Sequence, residues 1–200
     1  AATFHLGALS YLHSVKEGEF TLLDHVVALS TISGGTITGL RYMLGLSRGE
    51  SVTDIFKELY TFLTDVELAT VAMNNLAFYD KGQCASLIRT MADIYNKELF
   101  KGAVLGDLMD QLDDIHICHF AANATDFTNG LAFRFQVTEK TGARQEQATS
   151  YGLIGNNKIR IPREVARHIR LSEVLACSSC FPSGFEPLVF PKDFVLGDSE

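Results

Sequence analysis

"DHVVALSTISGGTITGLRYML", residues 24–44, decides how this chain is read. Residues 26–30 are a short β-rich run and predict a buried strand. Thr31-Ile32-Ser33-Gly34-Gly35 interrupts that run, and residues 35–46 then follow helical spacing to a stop at Gly45 or Gly49. A strand that enters a helix through Ser-Gly-Gly is either a tight structural turn or a way of presenting the serine for chemistry. In the second case the sharp turn aims Oγ away from the sheet, and the glycines let strand and helix approach closely. The helix N-terminus then favours developing negative charge. The general pattern is G-x-S-x-G; here Gly35 fills the last position and Thr31 replaces the first glycine.

Working outward, Phe4, Ala8, Tyr11, Leu12 and Val15 give residues 3–15 helical spacing, with an end near Gly18. Residues 52–76 hold one or two amphipathic helices, and residues 84–100 another with Leu87, Ile88, Met91, Ile94 and Tyr95 on one side. These apolar faces are read mainly as core, with the wall of a groove as the lesser alternative. Asp107 is placed to cap a further short helix. "IHICHFAANATDF" reads as a strand, Thr128-Asn129-Gly130 as a turn, and "LAFRFQVTEK" as the hairpin partner. A helix starts at Ser172 and is cut off by Pro182, and "DFVLGD" reads as the last strand. Strands separated by helices imply an α/β fold, three-layer α/β/α with a mainly parallel central sheet, in a single domain over residues 1–200.

The chain has 200 residues, 46% hydrophobic and 20% charged, which suits a packed globular core and argues against disorder. A formal net charge of −7 without a basic run argues against a nucleic-acid partner. No apolar stretch approaches the roughly 20 residues of a membrane span. Cys177 and Cys180 form a C-x-x-C without a second ligand pair, so they, with Cys84 and Cys118, are read as buried reduced thiols rather than a zinc or redox site. That favours a reducing, cytoplasmic setting, and the cysteines give no reason to expect a metal or cofactor.

A serine nucleophile needs a base. His116 and His119 fall in the apolar strand run and read as core or edge histidines, while His168 lies in the basic segment "REVARHIR" and reads as solvent-facing. None occupies the late loop position where a Ser–acid–His triad needs it. Among the acids, Asp24, Asp126 and Asp193 read as loop or turn residues.

Segments along nearly the whole chain resemble, in order, the patatin-like phospholipase family. "VVALSTISGGTITGL" resembles its nucleophile strand, elbow and helix, and "FHLGALSYL" its first helix. "LGDLMD" with "FAANATDFTNGLAFRF" resembles its middle segment, "EVLACSSCFPSGFEPLVF" its Ala-Ser-Ser helix and turn, and "FVLGDSE" the position of its Asp-Gly dipeptide. The resemblance implies a serine lipid acyl hydrolase with a Ser–Asp dyad and an acyl-enzyme intermediate. Ser33 would be the nucleophile and Asp198 its partner, with Thr31, Ile32, Gly34 and Gly35 forming the elbow. The implied substrate is a phospholipid or other acyl ester, met through transient contact with a membrane surface. The family's glycine-rich oxyanion loop would lie mostly upstream of Ala1, with Gly34 able to add an amide; the chain is expected to be truncated at both ends. Thr31, and Ser199 in place of the glycine after the acid, support an alternative: a catalytically impaired domain that binds lipid or a protein. An α/β-hydrolase using His168 is a third reading.

Overall fold

The computed structural model describes residues 1–76, 86–138, 154–181 and 184–195. Helix α1 (Ala2–Ser14) leads through a two-residue hairpin, β1 (Lys16–Glu17) and β2 (Phe20–Thr21), to strand β3 (Ala28–Ile32). Helix α2 (Gly34–Ser47) follows β3 immediately, and α3 (Val52–Asp65), α4 (Leu68–Leu76), α5 (Leu87–Tyr95) and α6 (Leu105–Gln111) complete the helical stretch. Strands β4 (His119–Asp126), β5 (Leu131–Thr138), β6 (Ile154–Gly155) and β7 (Arg160–Ile161) come next, then α7 (Arg163–Ala166) and α8 (Leu171–Ser179).

Local chemistry sets several of these boundaries. The Ser51 hydroxyl accepts from Asp54 N at 3.1 Å and so caps α3. Asp107 does not sit at the cap position; it lies in the first turn of α6 and its carboxylate reaches back to Val104 N at 3.0 Å. The helical pattern expected over residues 84–100 is α5 followed by a wider π-type turn, Asn96–Phe100, that ends at Lys101 with φ of 51°.

The α/β class holds, but among the described residues the sheet is mixed rather than mainly parallel. Its order is β3-β4-β5-β6-β7, with β3 and β4 parallel and each later pair antiparallel. The reason lies in the connections. The helices between β3 and β4 supply the long crossover that a parallel pair requires, whereas tight turns join β4 to β5 and β6 to β7. At the first turn the Asp126 carboxylate accepts from Asn129 N and Nδ2, and Gly130 takes φ of 63°. Asp126 is thus the turn residue expected of it. The final strand expected at "DFVLGD" is not seen in its described part: residues 193–195 form a turn, held where Asp193 Oδ2 accepts from Val189 N at 2.8 Å. The rest of that stretch lies outside the described residues.

Helix α2 lies against the sheet and is buried nearly all round from Gly35 to Gly45, with Leu40, Met43 and Leu44 inaccessible to solvent. A Cβ on Gly39 would stand 2.5 Å from Thr31 Cγ2, so only glycine lets α2 cross β3 this closely. Ile55, Leu59 and Phe62 of α3 join the same core with Phe120, Phe135 and Val137 of the sheet. The faces of α3 and of residues 88–100 therefore pack into the core, in line with their main reading.

Candidate active site

Ser33 stands between the last residue of β3 and the first of α2, where its φ and ψ are 53° and −129°. A non-glycine residue rarely adopts a positive φ, and here it turns the chain from strand into helix within one residue. Ser33 and Ile32 are exposed, while Thr31 and Gly35 are buried. Gly34 and Gly35 open α2, so their amides are among those that have no intrahelical acceptor.

The start of α1 meets the same point. A Cβ on Gly34 would lie 2.9 Å from both Ala1 Cβ and Ala2 N, and one on Gly35 would lie 3.1 Å from His5 Cε1. The first turns of two helices therefore converge beside Ser33, with their unpaired amides and positive dipole ends. At Gly34 an added Cβ would meet backbone and cannot be accepted without a shift, whereas at Gly35 it would need the exposed His5 ring to give only slightly.

Beneath the turn runs a network of neutral hydroxyls. Ser178 of α8 is buried; its Oγ accepts from Ser33 N at 3.0 Å and lies 2.7 Å from Thr36 Oγ1. It donates to the Asn123 carbonyl of β4 at 2.7 Å. The Asn123 side-chain amide in turn donates to Thr31 O and Ser30 Oγ, each at 2.9 Å. Thr31 Oγ1 donates to Ala121 O at 3.2 Å. The threonine that stands in place of a glycine is accommodated on both sides, its hydroxyl bonded and its methyl seated over Gly39.

The remaining candidates lie elsewhere or do other work. Asp198 and Ser199 fall outside the described residues. His168 is exposed in the turn after α7, and His119 is exposed at the start of β4. His116 is half-buried with Nε2 3.2 Å from the Tyr42 hydroxyl, and burial lowers its pKa below the ordinary 6.5. Cys177 and Cys180 are free thiols, and burial pushes both up, away from the reactive thiolate, while Cys118 is half-buried with its Sγ 3.8 Å from the His116 carbonyl. Cys84 lies outside the described residues. Among the described residues no group of three or more His, Cys, Asp or Glu side chains could hold a metal ion, and no helix is long and apolar enough to cross a membrane.

A pocket of about 280 Å³ opens between β5 and residues 187–194, walled by Phe133, Phe135, Ile161, Leu188, Phe190 and Phe194. Ala124 and Cys177 also line it, and these are the chain neighbours of Asn123 and Ser178. The pocket thus adjoins the network under Ser33, not the helices between residues 52 and 100.

The sequence reading found Ser33 and its glycines but missed Ser178, Thr36, Asn123 and His5. Ser178 lies 145 positions from Ser33 and looked like the interior of a C-x-x-C pair. The one available signal was the Ala-Cys-Ser-Ser segment, noticed for its resemblance and not for its hydroxyl.

A mixed α/β sheet with an exposed serine on a positive-φ turn between strand and helix defines a class, the α/β proteins that display a serine at a sharp elbow. Within that class the chain belongs to the patatin-like phospholipase family, whose family model, "Patatin-like phospholipase", matches residues 1–194. The family is one of lipid acyl hydrolases. No curated protein and no solved structure matches the chain.

Proposed function

We propose that the protein is a serine esterase acting on phospholipid or other acyl-ester substrates, with Ser33 as nucleophile and Asp198 as general base. The observation that carries this reading is the backbone of Ser33, which holds an exposed hydroxyl at positive φ at the mouth of α2.

In this reaction Ser33 Oγ attacks the ester carbonyl as the Asp198 carboxylate takes its proton. The carbonyl electrons move onto oxygen, and the tetrahedral oxyanion collapses with loss of the alcohol, which receives the proton from Asp198. Asp198 then deprotonates water for attack on the acyl-serine, and the fatty acid leaves as Ser33 is reprotonated. A carboxylate is a modest base in water, so stabilisation of the oxyanion must supply much of the rate. The Gly34 amide is one donor; the others belong to the segment that would precede Ala1, and the packing of Ala1 against Gly34 supports that assignment. The apolar pocket beside Cys177 suits an acyl chain, and exposed Ile32 next to Ser33 suits passing contact with a lipid surface. Thr31 is no obstacle to activity, since both its hydroxyl and its methyl have defined places.

The test is Ser33→Ala and Asp198→Asn on p-nitrophenyl acyl esters, with circular dichroism to confirm folding. Ser33→Ala should abolish turnover and labelling by a fluorophosphonate probe. Asp198→Asn should lose about 10²–10⁴-fold, the usual range for removal of a general base. An Asp198→Asn rate within tenfold of the unaltered protein overturns the dyad. His5, the histidine packed at Gly35, is then the next base to examine. A protein that neither turns over esters nor labels at Ser33 is instead the lipid- or protein-binding domain of the alternative reading.

A further inference from the structure

The mechanism leaves Ser178 unused, yet this side chain touches the backbone of the nucleophile. We propose that Ser178 is a positioning residue: its hydroxyl fixes the peptide on the N-terminal side of Ser33 and thereby sets where Ser33 Oγ can point. The inference rests on the assignment of Ser33 as nucleophile.

The proton accounting at Ser178 Oγ has one solution. A carbonyl can only accept, so the single Ser178 hydroxyl proton goes to Asn123 O at 2.7 Å. The Ser33 N–H at 3.0 Å must then donate to Ser178; the Thr36 hydroxyl has one proton for two neighbours, and its contact to Ser178 Oγ at 2.7 Å is shorter than that to Thr31 Oγ1 at 3.2 Å, so it too donates to Ser178. One oxygen gives one bond and accepts two, which fills its capacity. It joins four segments: the end of β3, the first turn of α2, the middle of β4, and α8.

The consequence for Ser33 follows from peptide planarity. Fixing the N–H toward Ser178 fixes the whole Ile32–Ser33 peptide plane, because its carbonyl must point the opposite way. The next peptide is held too, since Ser33 O accepts from Thr36 N at 2.8 Å. With both flanking planes pinned, the Cα–Cβ direction of Ser33 is set and only χ1 remains for Oγ. Asn123 reinforces this from below by bonding Thr31 O. Without the Ser178 hydroxyl the Ser33 N–H loses its partner, and the turn can relax by rotating that peptide. Displacement of a reacting atom by about 1 Å can cost on the order of 10²-fold in rate.

The experiment compares Ser178→Ala with Thr36→Val in the same protein. Both remove one buried hydroxyl from the network, but only Ser178→Ala deprives the Ser33 N–H of its acceptor. The readouts are the second-order rate of fluorophosphonate labelling at Ser33, kcat and KM on one short-chain ester, and Tm. Ser178→Ala is expected to slow labelling and kcat by about 10–100-fold with KM nearly unchanged. Thr36→Val should slow them less than about fivefold at a comparable loss of Tm. Rates that fall in step with Tm in both variants mean the network is only structural and overturn the proposal. So does labelling of folded Ser178→Ala at the unaltered rate. If the unaltered protein fails to label at Ser33, the functional reading falls first and this inference falls with it.

Discussion

Helix α2 is held at two places by opposite kinds of chemistry. At its first turn, Thr36, Ser178 and Asn123 form short bonds among neutral groups, the first two in direct contact with Ser33 and Asn123 one contact further out. Seven residues along the helix, roughly 10 Å from its start, Arg41 is buried and carries a charge. Its Nε donates to Glu58 Oε2 at 2.9 Å, and its Nη2 bonds both Glu50 and Glu58. The ionic cluster ties α2 to α3, whereas the hydroxyl cluster ties it to β4 and α8. Neutral hydroxyls place atoms without adding a field, so under the proposed mechanism the chemistry at the elbow would be left to Asp198 and the oxyanion donors. A charge pair holds harder once formed but would bias every ionisation near it. The molecule keeps its buried charge away from the serine, and position and stability become separable properties of one helix.

That separation can be broken deliberately. Arg41→Ala removes the charged clamp and leaves Glu50 and Glu58 without their buried partner, a loss of about 3 kcal/mol in unfolding free energy. The esterase rate per folded molecule should nevertheless stay within about twofold of the unaltered protein. Urea unfolding paired with active-site titration measures both quantities. A large fall in the rate of the folded fraction would mean that the two ends of α2 are coupled.

Gly39 lies between the two clusters and tests the boundary. Gly39→Ala places a methyl 2.5 Å from Thr31 Cγ2, which should cost about 2 kcal/mol by overpacking. Because Thr31 precedes the elbow by two residues, this change should slow the reaction as well as destabilise the fold, unlike Arg41→Ala. Thr31→Ser deletes the opposing methyl and keeps the hydroxyl. The double variant should therefore recover about 1 kcal/mol, a coupling read from a double-mutant cycle.

The smallest effect belongs to a third polar contact of α2, the Tyr42 hydroxyl against His116. Burial lowers the His116 pKa from 6.5, with Asp24 opposing the shift. The unfolded chain therefore takes up this proton first as pH falls. Stability from this group is complete above pH 6.5 and declines as pH drops through that value toward the folded pKa. A downturn in Tm that starts near pH 6.5 and is reduced in His116→Gln is the expected result.

Which parts of this were legible in the sequence follows from the range of each interaction. The strand–serine–helix turn could be read because all its determinants are local: a β-rich run, Ser33, and two glycines. Even so, the strand lies two residues further along than its apolar run suggested, because pairing with β4 runs from Ala28 to Ile32, and instead of being buried throughout it buries only Thr31. The β4–β5 hairpin was read from its turn and alternation, but the remaining antiparallel pairs could not be, since β6 and β7 are two residues each and too short to show alternation. Ser178 was hidden for a different reason. A single hydroxyl that closes a contact across 145 positions leaves no periodicity and no composition behind. Thr31 looked like a defect by pattern, and only its place between Ala121 O and Gly39 explains how it is tolerated.

The φ of 53° at Ser33 also carries a consequence for how such a sequence is retained. A side chain held at that backbone angle costs the fold on the order of 1–3 kcal/mol, against a total stability of about 5–15 kcal/mol for a typical domain. Glycine would occupy the same angle with little strain, so stability alone pulls this position away from serine. Only a requirement for the hydroxyl itself opposes that pull. A lineage released from that requirement would find its easiest gain in stability at the very residue that the rest of the elbow is built to present.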